Sequence, residues 1–156
     1  MIQRIQTLYL LLTFIGMLLL CFFPIATFIG GNEEFEISIW GIHSTDTPDV
    51  PVVKTVQMGI LWVLSTLLPL VNIFLFKRRW LQLRLCLVEI VLLLGMQIYI
   101  AFYIFNSRSV IADFAVSSMK YSPVDVIPII GIILSILAFR GIVHDQALIK
   151  SLNRIR

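Results

Sequence analysis

Residues 83–105 read LRLCLVEIVLLLGMQIYIAFYIF. An α-helix rises about 1.5 Å per residue, so roughly 20 apolar residues span the ~30 Å hydrocarbon core of a bilayer. Three further apolar runs of comparable length occupy residues 5–28, 54–76 and 124–143. The sequence therefore predicts an all-α membrane protein, a bundle of four transmembrane helices that forms a single integral domain.

The overall composition agrees with a membrane protein. Hydrophobic residues make up 59% of the 156 residues and charged residues only 13%. A soluble domain of this size has too little interior to bury that much apolar surface. The net charge of +3 rests on few charged residues, so it does not indicate a nucleic-acid-binding protein.

The basic residues are distributed unevenly along the chain. Nine of the twelve fall near the amino end, in the connection after the second run, or at and beyond the end of the fourth run: Arg4, Lys77, Arg78, Arg79, Arg84, Arg140, Lys150, Arg154 and Arg156. Only Lys54, Arg108 and Lys120 fall on the other side. The positive-inside rule then places both termini in the cytoplasm. A cleaved signal peptide is the alternative for the first run, but the apolar region of such a peptide has only about 7–15 residues.

The first outer connection, residues 29–53, has a strand-like pattern. Its apolar residues Phe35, Ile37 and Ile39 alternate with polar ones, and turn residues flank the segment. We expect a small β-strand or hairpin in this loop, which needs a partner strand from the same loop or from another protein. The alternative is an irregular loop whose Trp40 lies among the lipid headgroups.

Four helices with a strand-bearing first outer loop resemble the claudin-type arrangement. The resemblance is one of architecture only, because the loop lacks the cysteine pair of that family, and it implies no junction-forming activity. The second outer connection, residues 106–123, is polar and of mixed charge. We expect a short surface helix at residues 110–119.

Glu89 is the acidic residue inside a predicted span. A charge in mid-helix costs about 2.5–3.5 kcal/mol on insertion scales, so a partner or a protonated state is required. Arg84, Arg140 and Asn72 are expected at a similar depth, and Gln97 lies on the same helix face at i+8. These residues form a candidate intramembrane polar cluster, which serves either as a structural tie between helices or as a proton or cation site.

Other residues give structural indications. Pro24, near the end of the first run, is of a type that kinks or ends helices. Gly131, Ser135 and Ala138 form a stripe of small residues that permits close helix approach. Cys21 and Cys86 are predicted at different depths and do not form a disulfide. The sequence contains no recognised catalytic motif, so we predict no catalytic residues, no metal ligands and no cofactor.

Basic residues on the cytoplasmic side are expected to contact anionic lipid headgroups: Lys77, Arg78, Arg79, Lys150, Arg154 and Arg156. The tail, residues 144–156, keeps helical spacing of its apolar residues with positive charges around them. It is predicted to continue the last helix as an amphipathic segment on the inner membrane surface. A helix that binds a protein partner is the alternative.

Three segments carry a resemblance to a known family. They are MIQRIQT at residues 1–7, QLRLC at residues 82–86 and DQALIKSLNRIR at residues 145–156. The chain resembles domain of unknown function 4293, a family of small four-span membrane proteins of the Bacteroidota. The resemblance implies a bacterial inner-membrane protein and supplies no activity, substrate or cofactor.

The sequence leads to two functional hypotheses. The first is a non-enzymatic accessory or scaffold protein of the inner membrane, with an unidentified membrane-protein partner or a second copy of itself. The second is a small ion-coupled transporter that uses Glu89. Exporters that work as antiparallel pairs insert in both orientations and need a weak charge bias, which the distribution of basic residues excludes.

Overall fold

The computed structural model describes residues 2–30, 33–44, 47–75, 78–111 and 116–152. The elements follow one another as α1 (Ile2–Leu19), β1 (Ala26–Gly30), β2 (Glu33–Ser38), β3 (Gly41–Ser44), β4 (Thr47–Lys54), α2 (Val56–Phe74), α3 (Arg79–Ile111), β5 (Val116–Tyr121) and α4 (Ile127–Leu152). A 3-10 turn, Pro123–Val126, leads into α4. The protein is thus mostly helical with one small sheet.

The four helices pack side by side in a ring. Helices α1 and α3 each pack against both α2 and α4. Helices α1 and α4 run antiparallel, since Gln6 near the start of α1 donates a hydrogen bond from Nε2 to Oδ2 of Asp145 near the end of α4 (3.0 Å). The first and last described residues therefore lie at one end of the bundle, which we call the termini end.

The strands form one antiparallel sheet in the order β4-β3-β2-β1-β5, at the opposite end, which we call the sheet end. The predicted β-element of the first outer loop is confirmed and is larger than a hairpin. The helix predicted at residues 110–119 is wrong: α3 continues to Ile111, and Val116–Tyr121 forms β5. Strand β1 pairs with β2 on one edge, and β5 pairs with its other edge. Strand β5 thus supplies hydrogen-bond partners for the backbone groups of β1 that β2 does not reach.

The first helix is shorter than the predicted run of residues 5–28. Helix α1 ends at Leu19, and the N–H groups of Cys21 and Phe22 turn to the carbonyls of Leu18 and Leu19 (3.1 and 3.0 Å). Pro24 then has no N–H to continue the helix. The apolar residues that follow enter β1 and find hydrogen-bond partners on both sides.

Within the described part of the chain, three helices are long and apolar enough to cross a membrane: Val56–Phe74, Arg79–Ser107 and Pro123–Ala147. They cover most of the predicted runs 54–76, 83–105 and 124–143. Helix α4 continues without a break through the start of the predicted tail to Leu152, while residues 153–156 lie outside the described residues. The apolar part of α1, Ile5–Leu19, is shorter.

One face of the sheet packs against the bundle. Phe35, Ile37 and Ile39 are at most 3% exposed, whereas Glu34 and Glu36 are exposed, so the predicted alternation is confirmed. These side chains belong to one apolar core with residues of all four helices or their flanking turns. A tight turn joins β2 to β3 and requires glycine at Gly41, whose φ is 149°.

Candidate functional site

Glu89, the centre of the predicted polar cluster, is fully buried in α3. Its Oε1 accepts a hydrogen bond from Oγ of Ser135 in α4 (2.8 Å), and Ser135 is also fully buried. Its Oε2 has no hydrogen-bond partner among the described residues. The carboxyl group thus joins α3 to α4 and retains one oxygen for a further interaction.

Asn72 provides a second polar contact, between α2 and α3. It is fully buried, and its Nδ2 donates to Sγ of Cys86 (3.0 Å). Its backbone carbonyl accepts from Nε2 of Gln82 (3.5 Å), whereas its Oδ1 has no partner in the described part of the chain. Cys86 lies three residues before Glu89, on the same face of α3. The contact of Asn72 with Cys86 is therefore about one helical turn from Glu89.

Gln97 lies two turns from Glu89 on α3, toward the sheet end. Its Nε2 donates to Oδ1 of Asp125 (3.5 Å), at the turn that precedes α4. Leu93, halfway between Glu89 and Gln97, is fully buried and packs against Gly131 of α4. The two polar groups are therefore separated by an apolar layer and do not form one continuous cluster.

The structure does not bring the two predicted arginines to Glu89. Arg84 and Arg140 are exposed. The guanidinium carbon of Arg84 lies 3.7 Å from the ring centroid of Trp80, in a cation–π contact. Long basic side chains keep their charge at the surface, while a short hydroxyl fits beside a buried carboxyl group, and Ser135 occupies that position.

The predicted headgroup contacts are described only in part. Arg78 is exposed and Arg79 is half-buried, next to each other at the start of α3. Lys77, Arg154 and Arg156 lie outside the described residues, as does the side chain of Lys150. Their contact with anionic lipids stays a prediction.

A concave apolar surface lies on α2 at the sheet end, and we call it the α2 groove. Its cavity of about 490 Å³ is within the size range of ligand pockets. The sheet contributes Trp40 and His43 to its lining, and the helix contributes Val56, Ile60, Val63 and Leu64. The groove opens on the surface of the bundle that faces away from the other helices, where Val56 and Ile60 are 65% and 57% exposed.

Hydrogen bonds from Thr55, the residue before α2, hold the backbone at Trp40 beside the groove. The N–H of Thr55 donates to the carbonyl of Trp40 (3.3 Å), and Thr55 Oγ1 donates to the carbonyl of Ile39 (3.1 Å). Trp40 also packs edge-on against Trp62 with ring centroids 5.7 Å apart. The turn between β2 and β3 is thereby fixed to the first two turns of α2.

Sequence reasoning missed several residues of these sites. Ser135 was placed in a stripe of small residues, which gave no sign that its hydroxyl meets Glu89. Cys86 was considered only as a disulfide candidate, and both cysteines are free. The α2 groove had no sequence signal, because Trp40 and Val63 come together only through the packing of the sheet on α2.

The comparison with family models agrees with the resemblance in the sequence. The model described as domain of unknown function (DUF4293) matches residues 2–155. The chain belongs to this family. The match covers nearly the whole chain, so the bundle and the sheet both fall within the family domain. A search of curated proteins finds no match.

Proposed function

We propose that this protein is a non-enzymatic scaffold or accessory component of the bacterial inner membrane. It crosses the membrane four times, keeps both termini in the cytoplasm and presents its sheet on the outer side to a membrane-protein partner. The observation that carries the proposal is the construction of the sheet from both outer connections on a core shared with the helices.

Membrane insertion is supported by the large apolar side chains on the outside of the bundle. Ile98 and Phe105 of α3 are 68% and 77% exposed, and Phe74 of α2 is 71% exposed. Apolar exposure on this scale marks a membrane or protein contact. The 18 residues of α1 extend about 27 Å, close to the ~30 Å core of a bilayer, so α1 has nearly enough length to cross beside α2 and α4.

The orientation is supported by the charge distribution. Nine of the twelve basic residues in the sequence are predicted on the side of the termini and three on the side of the sheet. Because basic residues are retained in the cytoplasm, the sheet lies outside.

The scaffold role is supported by the solvent-facing surface of the sheet. Lys120, Thr27, Glu36 and His43 occupy successive positions across β5, β1, β2 and β3 in the strand register. Lys120 and Glu36 are exposed. A polar row with charges of both signs, on strands anchored to the bundle, gives a protein partner a surface of defined shape and charge.

Two measurements test this proposal. In a Cys21→Ser background, Ser118→Cys should react with a membrane-impermeant maleimide from the periplasm, and His144→Cys only after permeabilisation. A photo-crosslinking amino acid at Glu36 should then form a discrete protein adduct in native membranes, while the same residue at Ile98 should crosslink to lipid. Reversed labelling would disprove the orientation, and no protein adduct at Glu36 in a correctly inserted chain would disprove the scaffold role.

Ion-coupled transport through Glu89 is a second candidate. It is favoured by the unpartnered Oε2 of a fully buried carboxyl group. The apolar layer at Leu93 separates this group from Gln97 and so counts against a polar path. Glu89→Gln separates the candidates: a transporter loses ion-coupled flux, whereas a scaffold keeps its Glu36 adduct.

A further inference from the structure

We propose that the α2 groove binds one acyl chain of a phospholipid from the outer leaflet, with the lipid phosphate next to His43. The inference rests on the membrane location proposed above and assigns a ligand to the α2 groove, which shares His43 with the polar row of the sheet.

The length of the groove is close to the thickness of the hydrocarbon layer of one leaflet. Its helix residues run from Val56 to Leu64, which corresponds to about 12 Å along the axis of α2. Half of a ~30 Å hydrocarbon core is about 15 Å. An acyl chain that lies along α2 from the sheet toward the middle of the bilayer therefore matches the groove from end to end.

The walls of the groove are suited to a hydrocarbon chain. Ile60, Val63 and Leu64 supply branched aliphatic surface. The Trp40 ring lies against the helix at Gly59, where a Cβ would be at ordinary van der Waals distance, 3.5 Å, from Cζ3 of Trp40. The ring lines the groove at the sheet end, so a partner helix that runs the full length of α2 would meet Trp40, whereas an acyl chain can end there.

The sheet end of the groove is suited to a phosphate. His43 lines it from β3. Strand β4 ends at Lys54, whose backbone pairs with Gly41 in the register of β3 and β4. The imidazole of His43 and the backbone of Lys54 thus lie at the end of the groove that faces the headgroups in the proposed orientation. The His43 imidazole is the polar ring at this end of an otherwise apolar groove, and a phosphodiester attached to the chain in the groove would lie next to it.

The test uses the whole protein in lipid nanodiscs that contain a phospholipid with a diazirine on its acyl chain. After irradiation, mass spectrometry should map the label to residues 56–64 in preference to residues 67–74 of the same helix. Val63→Trp, which fills the groove, should lower this label about tenfold, which corresponds to ~1.4 kcal/mol of binding free energy. Val71→Trp is the matched control, because Val71 is exposed on α2 outside the groove, and it should leave the label unchanged.

The phosphate contact has its own pair of variants. His43→Gln should lower the label in the groove, and His144→Gln, at the termini end, should not. If Val63→Trp does not fold, Ile60→Trp fills the same groove.

Three outcomes would overturn the inference. One is equal labelling of Val63→Trp and the wild type, and another is a uniform label along α2. The third is a photo-crosslinker at Val63 that captures a protein, either a second copy or another chain, in place of lipid. Absence of label from every helix would disprove the membrane location itself, which separates failure of the proposed function from failure of the groove.

Discussion

The sheet end and the termini end of the bundle differ in the size of their apolar cores. At the sheet end, residues of the strands and helices share one apolar core that includes Phe28, Ile37 and Leu93. At the termini end, the second core among the described residues contains only Leu10, Cys86, Ala138 and Ile142. Side-chain hydrogen bonds between helices occur toward both ends. Gln6, Asn72 and Ser135 donate them toward the termini end, and Trp62 and Tyr99 donate them toward the sheet end.

On the membrane location proposed above, this difference follows from what surrounds each part of the bundle. The hydrophobic effect drives packing where the chain meets water, and the sheet buries its apolar face against the helix ends. Within lipid, apolar packing between helices gains little over lipid contact, so close approach and interhelical hydrogen bonds become important. The comparison predicts that substitutions at the sheet end affect folding most strongly.

The largest effect is expected from Ile37→Asp, in the middle of the sheet. Ile37 is fully buried, so the substitution places an unpaired carboxylate in the shared core and should lower the free energy of unfolding by about 4 kcal/mol. In a Cys21→Ser background, buried Cys86 reports unfolding through its reaction with a thiol-reactive fluorophore on heating. Glu36→Ala, on the opposite face, is the control and should change stability by less than about 0.5 kcal/mol. Equal effects of the two variants would contradict the assignment of the buried face.

The sequence predicted some of these features and not others. The alternation of Phe35, Ile37 and Ile39 is a local signal, and it identified the strand and its buried face correctly. Strand β5 was missed because pairing with β1 brings together residues about ninety positions apart, and the segment itself is polar. Residues 26–28 were assigned to a helix because their apolar character is shared by a membrane span and by a strand between two neighbours.

The polar cluster shows the same limit. The cost of a charge in mid-helix singles out Glu89 as a residue that needs a buried partner. Its partner Ser135 lies 46 residues away, and the rotation of α4 about its own axis decides which side chain meets the carboxyl group. No local pattern fixes that rotation, so Arg84 and Arg140 were equally plausible from depth alone.

An intermediate effect is expected from Gly141→Ala at the termini end. A Cβ at Gly141 would lie 2.9 Å from Cγ and 3.2 Å from Nε2 of Gln6. The added methyl group would displace Gln6 and break its hydrogen bond to Asp145, at a cost of about 1–3 kcal/mol. Gly95→Ala is the matched control, because a Cβ there has nothing within 4 Å, and it should be neutral or stabilising in the same thiol assay. If both variants unfold alike, α1 and α4 do not approach as closely as described.

The smallest effect is expected from Ser135→Ala, which removes the donor to Glu89. Interhelical hydrogen bonds in membranes contribute about 0.6 kcal/mol on average and up to about 1.7 kcal/mol, so we expect a loss near 1 kcal/mol. Ser65→Ala is the control: Ser65 is also fully buried, but its Oγ donates to carbonyls of its own helix. A double-mutant cycle with Glu89→Gln isolates the pair, and the effect of Ser135→Ala should shrink when Glu89 is already replaced. Strict additivity would mean that the 2.8 Å contact adds nothing to the packing of α3 on α4.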